Sequence, residues 1–183
     1  GHDFLRDVCG RKWGVNDVHD VLTSFKKMLK LMGIENKNYG IMGGSYGGFM
    51  TSWVIGHYPK MFKSAIVERA LLNWETMVGT SDIGIGFPEM YLLDDMNNNL
   101  NLYRKKSPIT YANNIITPPL IIHSEKDYRC PVEQAEQLFS NRFEPFSDQF
   151  IVFSDRSGAL RHLSSIQDAR ALSPRHTSHS FPT

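Results

Sequence analysis

Ile41-Met42-Gly43-Gly44-Ser45-Tyr46-Gly47-Gly48-Phe49-Met50 decides how this chain is read. It contains Gly43-x-Ser45-x-Gly47, the spacing of a nucleophile elbow, in which a serine is held at a tight turn between a strand and a helix. The serine backbone in such a turn is strained, and strand and helix nearly touch on either side of it. Side chains two residues before and after the serine are expected to collide, which makes glycine the required residue at both Gly43 and Gly47. The turn presents the Ser45 hydroxyl and leaves the Tyr46 amide where an oxyanion would form. Chains rich in Gly and Ser show the bare pattern by chance, so the flanking sequence must decide. Upstream, Asn38-Tyr39-Gly40-Ile41-Met42 is a short apolar run suited to a buried strand, preceded by the polar turn Glu35-Asn36-Lys37. Downstream, Phe49, Met50, Trp53, Val54 and Tyr58 recur at helical spacing and stop before Pro59. Strand, turn and helix follow in the order the motif needs.

Working outward, Val18, Val21, Leu22, Phe25, Met28, Leu29 and Met32 predict an amphipathic helix from Asn16 to Met32, closed by Gly33. This apolar stripe is expected to pack in the core, with Lys26, Lys27 and Lys30 on the solvated face. Ser64-Ala65-Ile66-Val67-Glu68 reads as a strand, and Pro119-Leu120-Ile121-Ile122-His123 as a buried one. Val132, Ala135, Leu138 and Phe139 predict a helix after Pro131, and Gln149-Phe150-Ile151-Val152-Phe153 a last strand. Residues 71–117 resist a regular reading. A long irregular insertion in a compact domain is more often functional than idle, so short helices and loops over one end of the sheet are expected there. Trp74, Phe87 and Tyr91 could line a pocket in it or simply pack. Alternating strands and helices imply a mostly parallel sheet covered on both faces, with function at the carboxyl ends of the strands. Residues 154–183 are rich in Ser, Arg and His without an apolar period, and read as a poorly ordered tail after a domain spanning 1–153.

At 183 residues the chain is one domain's worth. Twenty Lys and Arg against 19 Asp and Glu leave a net charge of +1, which gives no reason to expect nucleic acid or an anionic membrane as partner. No apolar run approaches membrane-spanning length. Cys9 and Cys130 have no metal-ligand spacing and are too few for a disulfide framework. They read as free thiols in a reducing compartment, which points to the cytoplasm. No metal or cofactor is expected.

Four sequence words resemble the prolyl oligopeptidase family of serine peptidases, its acylaminoacyl-peptidase-like branch above all. They are Trp13-Gly14-x-x-Asp17; Gly43-Gly44-Ser45-Tyr46-Gly47-Gly48-Phe49-Met50; Asn73-Trp74 with Ser81-Asp82-Ile83-Gly84; and His123-Ser124-Glu125-Lys126-Asp127-Tyr128-Arg129-Cys130-Pro131, followed by Gln134-Ala135-Glu136-Gln137-Leu138-Phe139. They run in family order from residue 1 to about 153. The resemblance implies a three-layer α/β-hydrolase fold, here without its first strands, its His-Gly-Gly oxyanion loop and its β-propeller. It further implies a small peptide substrate, short or N-acylated; the missing neighbouring strands would leave sheet edges unpaired, which opens the chain to pairing with a second copy. Two other departures stand out. Ser124 replaces a usual glycine, and family pattern stops after Phe153, with Gly158 about where the catalytic histidine belongs. Such a break looks like a reading-frame change, and the start at Gly1 rather than Met fits a fragment.

A serine hydroxyl needs an adjacent base, itself oriented by an acid, and in this fold the chain order is Ser, then Asp or Glu, then His. Ser45 is the expected nucleophile and the Tyr46 N–H the expected oxyanion donor. Asp127, in the loop leaving a strand, matches the family's acid; its alternative role is to cap the turn ahead of Pro131, and Glu125 is the nearest other carboxylate. For the base, His162 in Arg161-His162-Leu163-Ser164 faintly echoes the family's ending, although a solvated tail histidine has the same appearance. His176 and His179 sit deeper in the tail. His123 is expected to be packed rather than catalytic. Three readings follow: a serine peptidase, a carboxylic-ester hydrolase of the same fold, or a non-catalytic fold fragment.

Overall fold

The computed structural model of the chain describes residues 2–3, 9, 11–35, 38–142, 151–154 and 160–163, the last two segments as backbone. The elements are α1 (Asn16–Leu31), β1 (Gly40–Gly44), α2 (Tyr46–His57), β2 (Ser64–Glu68), α3 (Trp74–Thr80), α4 (Gly86–Leu92), α5 (Leu100–Lys106), a 3-10 helix (Pro108–Asn114), β3 (Pro119–Ser124), α6 (Glu133–Arg142), β4 (Ile151–Ser154) and β5 (Leu160–Leu163). Five strands form one sheet in the order β1-β2-β3-β4-β5. The first four are parallel, so their carboxyl ends, and the loops leaving them, lie along one edge of the molecule.

One face of the sheet is packed. Ala65, Val67 and Ile121 point at Ile55 of α2, at Ala112 and Ile115 around the 3-10 helix, and at Ala135, Leu138 and Phe139 of α6, in a single cluster. Helix α2 is apolar all round and every residue from Gly48 to Gly56 is buried, as a helix held between a sheet and outer layers must be. Its outer side meets a second cluster, in which Val18 and Leu22 of α1 join Trp13, Phe49, Trp53 and Trp74.

The other face differs from the expectation of two covered faces. Met42, Ile66, Leu120 and Ile122 alternate with the packed residues, lie outside both clusters, and are exposed or half-buried; Met42 is 70% exposed. The helices among the described residues pack on one side, and none of them covers the alternate register. For the same reason the expected core stripe of α1 is only partly core. Val18 and Leu22 are buried, Phe25 and Leu29 half-buried, and Val21, Met28 and Met32 exposed. Helical spacing identifies an apolar stripe but not the surface that meets it.

The segment read as a poorly ordered tail contains β5, an antiparallel partner of β4 through the pairs Ile151↔Leu163 to Ser154↔Leu160. Four residues are too few for a periodic signal, and a ladder supplied by a neighbouring strand is enough to form an edge strand. The rest of 155–183, with His176, His179 and Gly158, lies outside the described residues, as do Gln149 and Phe150 of the last predicted strand. No helix among the described residues is long and apolar enough to cross a membrane.

Candidate active site

Ser45 stands between β1 and α2 with φ 57° and ψ −118°, a left-handed backbone that a serine adopts only when its surroundings impose it. Two hydrogen bonds impose it: the Ser45 N–H donates to the Glu68 carbonyl of the adjacent strand at 3.0 Å, and the Phe49 N–H donates back to the Ser45 carbonyl at 3.0 Å. The glycines around it contribute unequally. A Cβ on Gly43 would lie 2.3 Å from the Gly47 carbonyl oxygen, so Gly43 is required. A Cβ on Gly47 would meet nothing, which corrects the expectation of symmetric steric need. Gly47 matters as the backbone that Gly43 touches. The second required glycine is Gly48, where a Cβ would lie 2.6 Å from the Ala70 Cβ and 2.7 Å from the Glu68 carbonyl oxygen. It lets α2 rest directly on the residues leaving β2.

Ser45 opens on a small cavity of about 130 Å³ lined by Trp13, Tyr46, Leu71, Met77, Ile83, Phe87, Arg129 and Cys130. Cys130 lines the same cavity as Ser45, and burial, with Asp127 adding to it, pushes its thiol up to about 11. It therefore stays protonated at neutral pH. Of the aromatic residues singled out from sequence, Phe87 lines the cavity, Trp74 is fully buried behind Trp13, and Tyr91 packs on Trp13 at 4.8 Å. The irregular insertion thus builds the wall of the site.

Asp127 sits in the loop after β3, at the same edge as Ser45 and two strands away. Its Oδ1 accepts from the Arg129 and Cys130 N–H groups, both at 2.9 Å, and its own N–H donates to the Ser124 carbonyl at 3.2 Å. It holds the turn that carries Cys130, and its charge acts on both Cys130 and His123. Glu125 is exposed on the same loop. His123 is 2% exposed with Nε2 2.6 Å from the Cys130 carbonyl, and burial holds its imidazole below the ordinary range. His57 is engaged with the Trp53 carbonyl at 2.8 Å. His162 falls on β5, in the row Gly44, Glu68, Ile122, Val152, His162 across the sheet. Four strand spacings, about 19 Å, separate its backbone from that of β1. A serine and its acid bridged by an imidazole are only about 6–9 Å apart, so this arrangement does not bring His162 to Ser45. Among the described residues no group of three or more His, Cys, Asp or Glu side chains could hold a metal ion.

A family model described as the prolyl oligopeptidase family, Peptidase S9, matches residues 1–143. The chain belongs to the prolyl oligopeptidase family. It is 43% identical over 140 residues to the uncharacterized peptidase YuxL of Bacillus subtilis, covering 76% of this chain and 21% of that protein. It is 34% identical over 146 residues to acylamino-acid-releasing enzyme 1 of Oryza sativa subsp. japonica, covering 75% and 19%. The Pyrococcus horikoshii acylaminoacyl peptidase superposes with a TM-score of 0.76 at 34% identity, over 82% of this chain and 24% of that one. The fold is thus the α/β-hydrolase fold. The chain spans about a fifth of the length of the curated relatives it matches.

Within this prolyl oligopeptidase-family chain, the recognised words are joined to one another. Asn73 caps α3 by accepting from the Glu75 and Thr76 N–H groups, and its amide donates to Gln137 Oε1 at 2.7 Å. The fully buried Gln134 accepts from the Leu72 and Asn73 N–H groups at 2.8 and 2.7 Å. That clamps the start of the insertion to α6. Ser81 Oγ donates to the Arg129 carbonyl at 2.6 Å, and Asp82 pairs with the Arg129 guanidinium at 2.7 and 3.3 Å, which holds the Asp82 carboxyl below its usual range. The insertion is thereby clipped to the Asp127 loop, directly over the cavity. Residue type alone showed that these words occur together; only the contacts show what each does.

Proposed function

We propose that the chain carries the serine, oxyanion and acid elements of a serine peptidase acting on short or N-acylated peptides. One observation supports the reading above all: Ser45 is held at positive φ in the turn between β1 and α2 and lines a mostly apolar cavity. Ser45 Oγ attacks the scissile carbonyl and its proton passes to a histidine, which returns it to the leaving amine. An ester on Ser45 remains and is hydrolysed by water in a second, like step. The Tyr46 N–H is the first amide of α2 and has no partner within the helix, so it is free to stabilise the oxyanion at a positive helix end. Asp127 orients the base. The N-acylated substrate class rests on the names of the rice and Pyrococcus relatives. The cavity is lined mostly by apolar side chains, and the charge of Arg129 at its edge is taken up by Asp82, so it suits an uncharged side chain on the acyl side of the cleaved bond. We place the enzyme in the cytoplasm because its two cysteines, Cys9 and Cys130, are free thiols.

The base is the incomplete part. His162 has what motif support there is, but lies on a distant strand, so turnover by the chain alone is expected to be very low; in a subtilisin-type site, removing the triad histidine costs about 10⁶-fold. A fluorophosphonate probe tests the reading. Slow labelling confined to Ser45, lost in Ser45→Ala, is expected; labelling that survives Ser45→Ala, or none at any concentration, overturns it in favour of a non-catalytic fold fragment. Comparing an N-acetylated aminoacyl anilide with a short-chain nitrophenyl ester separates peptidase from esterase. His162→Ala is expected to leave labelling unchanged.

A further inference from the structure

Asp17, the acid of the word Trp13-Gly14-x-x-Asp17, has no part in the chemistry above, yet it reaches the site. Asp17 is 8% exposed at the start of α1. Its Oδ1 accepts from the Val18 N–H at 2.8 Å, and its Oδ2 accepts both from the Gly14 N–H at 3.1 Å and from the Tyr46 hydroxyl at 2.7 Å. The Tyr46 ring stands edge-on to Trp13 at 4.7 Å, and the Trp13 carbonyl is held by Lys106 Nζ at 3.0 Å. A carboxylate in the first turn of a helix is ordinary, and the contact to Val18 needs no other explanation. The phenol does need one. Nothing in starting a helix requires a tyrosine from 29 positions along the chain to reach back to it. That tyrosine follows the serine directly, and its backbone N–H is the oxyanion donor.

We infer that Asp17 is a positioning residue: through the Tyr46 phenol it fixes the direction of the Tyr46 N–H beside Ser45. The inference rests on the reading of Ser45 as nucleophile. The Tyr46 side chain is a strut anchored in the loop 13–17 at its far end and in the turn at its near end. With the hydroxyl tied to a buried carboxylate and the ring against Trp13, the residue has little freedom to tilt. An oxyanion donor must be within hydrogen-bonding distance of an atom that becomes charged only in the transition state, so a small tilt costs rate rather than binding.

The experiment measures fluorophosphonate labelling of the chain and of Tyr46→Phe, Asp17→Asn and the double variant, with hydrogen exchange of the peptide spanning residues 42–50. Tyr46→Phe removes one oxygen and leaves every α1 contact of Asp17 in place, so it remains informative if Asp17→Asn folds poorly. In each single variant the maximal labelling rate is expected to fall about tenfold to a hundredfold, with the half-saturating probe concentration unchanged. The double variant should be no slower than the worse single one, because both break the same bond. Exchange at 45–48 should rise while exchange in β3 does not. Native labelling rates in Tyr46→Phe, additive losses, or unchanged exchange at 45–48 would overturn the role of Asp17 while leaving Ser45 as nucleophile. A native chain that never labels overturns the nucleophile reading, and the positioning role falls with it.

Discussion

The two faces of the sheet are built from the same kinds of residue and meet opposite fates. On β3, Ile121 is 1% exposed among α2, α6 and the 3-10 helix, while its neighbour Ile122 is half-buried; on β1, Ile41 packs against both clusters and Met42 is 70% exposed. Strands of a parallel sheet carry apolar residues in both registers because both are meant for burial. What separates the faces is therefore not the strands but what lies over them. The covered face is also where α2 touches the sheet, and through α2 it sets the backbone of Ser45. The site depends on one face and is indifferent to the other.

Four expectations test that contrast. Ile121→Ala should cost about 2–5 kcal/mol of unfolding free energy, read by denaturant titration, while Ile122→Ala costs about 1 kcal/mol or less. Equal costs would mean that the open face is covered in solution. Next come the glycines. Gly43→Ala and Gly48→Ala force backbone apart where strand meets helix, and each should cost roughly 1–3 kcal/mol and depress Ser45 labelling. Gly47→Ala should be neutral or up to about 1 kcal/mol stabilising, since it replaces a helical glycine facing open space. A destabilised Gly47→Ala would show that the space is filled.

A smaller effect concerns pH. His123 is buried neutral on the covered face, so its folded pKa lies below the unfolded value of about 6.5. Between the two values the unfolded chain binds more protons than the folded one, and stability falls as pH drops below about 6.5. Urea midpoints at pH 7.5 and 5.5 should show that loss, and His123→Gln should shrink the difference between them. Cys130 works at the other end. Its pKa of about 11 lies above the ordinary 9.0, so the folded state keeps the proton longer and stability falls as pH rises from about 9 to 11. Iodoacetamide should alkylate Cys9 first and Cys130 only on unfolding. Smallest of all, Met42→Lys on the open face should change stability by no more than about 0.5 kcal/mol. It should nonetheless lower binding of a hydrophobic dye, because the lost patch is a surface one.

Much of this was legible in residue order. Ser64–Glu68 is a strand with the predicted bounds, α1 ends one residue before its predicted end, and the turn at Ser45 has the left-handed backbone its glycines foretold. These are local matters: apolar period, a glycine at a helix end, a helix stopped before Pro59. Asp127 lies in the loop its motif predicts, and its carboxylate holds the turn ahead of Pro131, the alternative role that its position also suggested. Gly48 escapes a sequence reading because two glycines in a row look interchangeable, and only the approach of Ala70 distinguishes them. β5 escapes it because an edge strand takes its order from a neighbour's ladder rather than from its own four residues.

By itself, the sequence determined the main strands and helices, their order and the family, and it singled out Ser45 as the candidate nucleophile, since each is written in short-range spacing or in words that survive without knowledge of distance. Tertiary structure alone decided which register of each strand is buried, that Asp17 meets Tyr46, that Cys130 shares the cavity beside Ser45, and that His162 stands four strands from β1. These depend on which surfaces meet. A chain specifies contacts between distant residues only through the packing of whole elements, and no window of neighbouring residues contains that information.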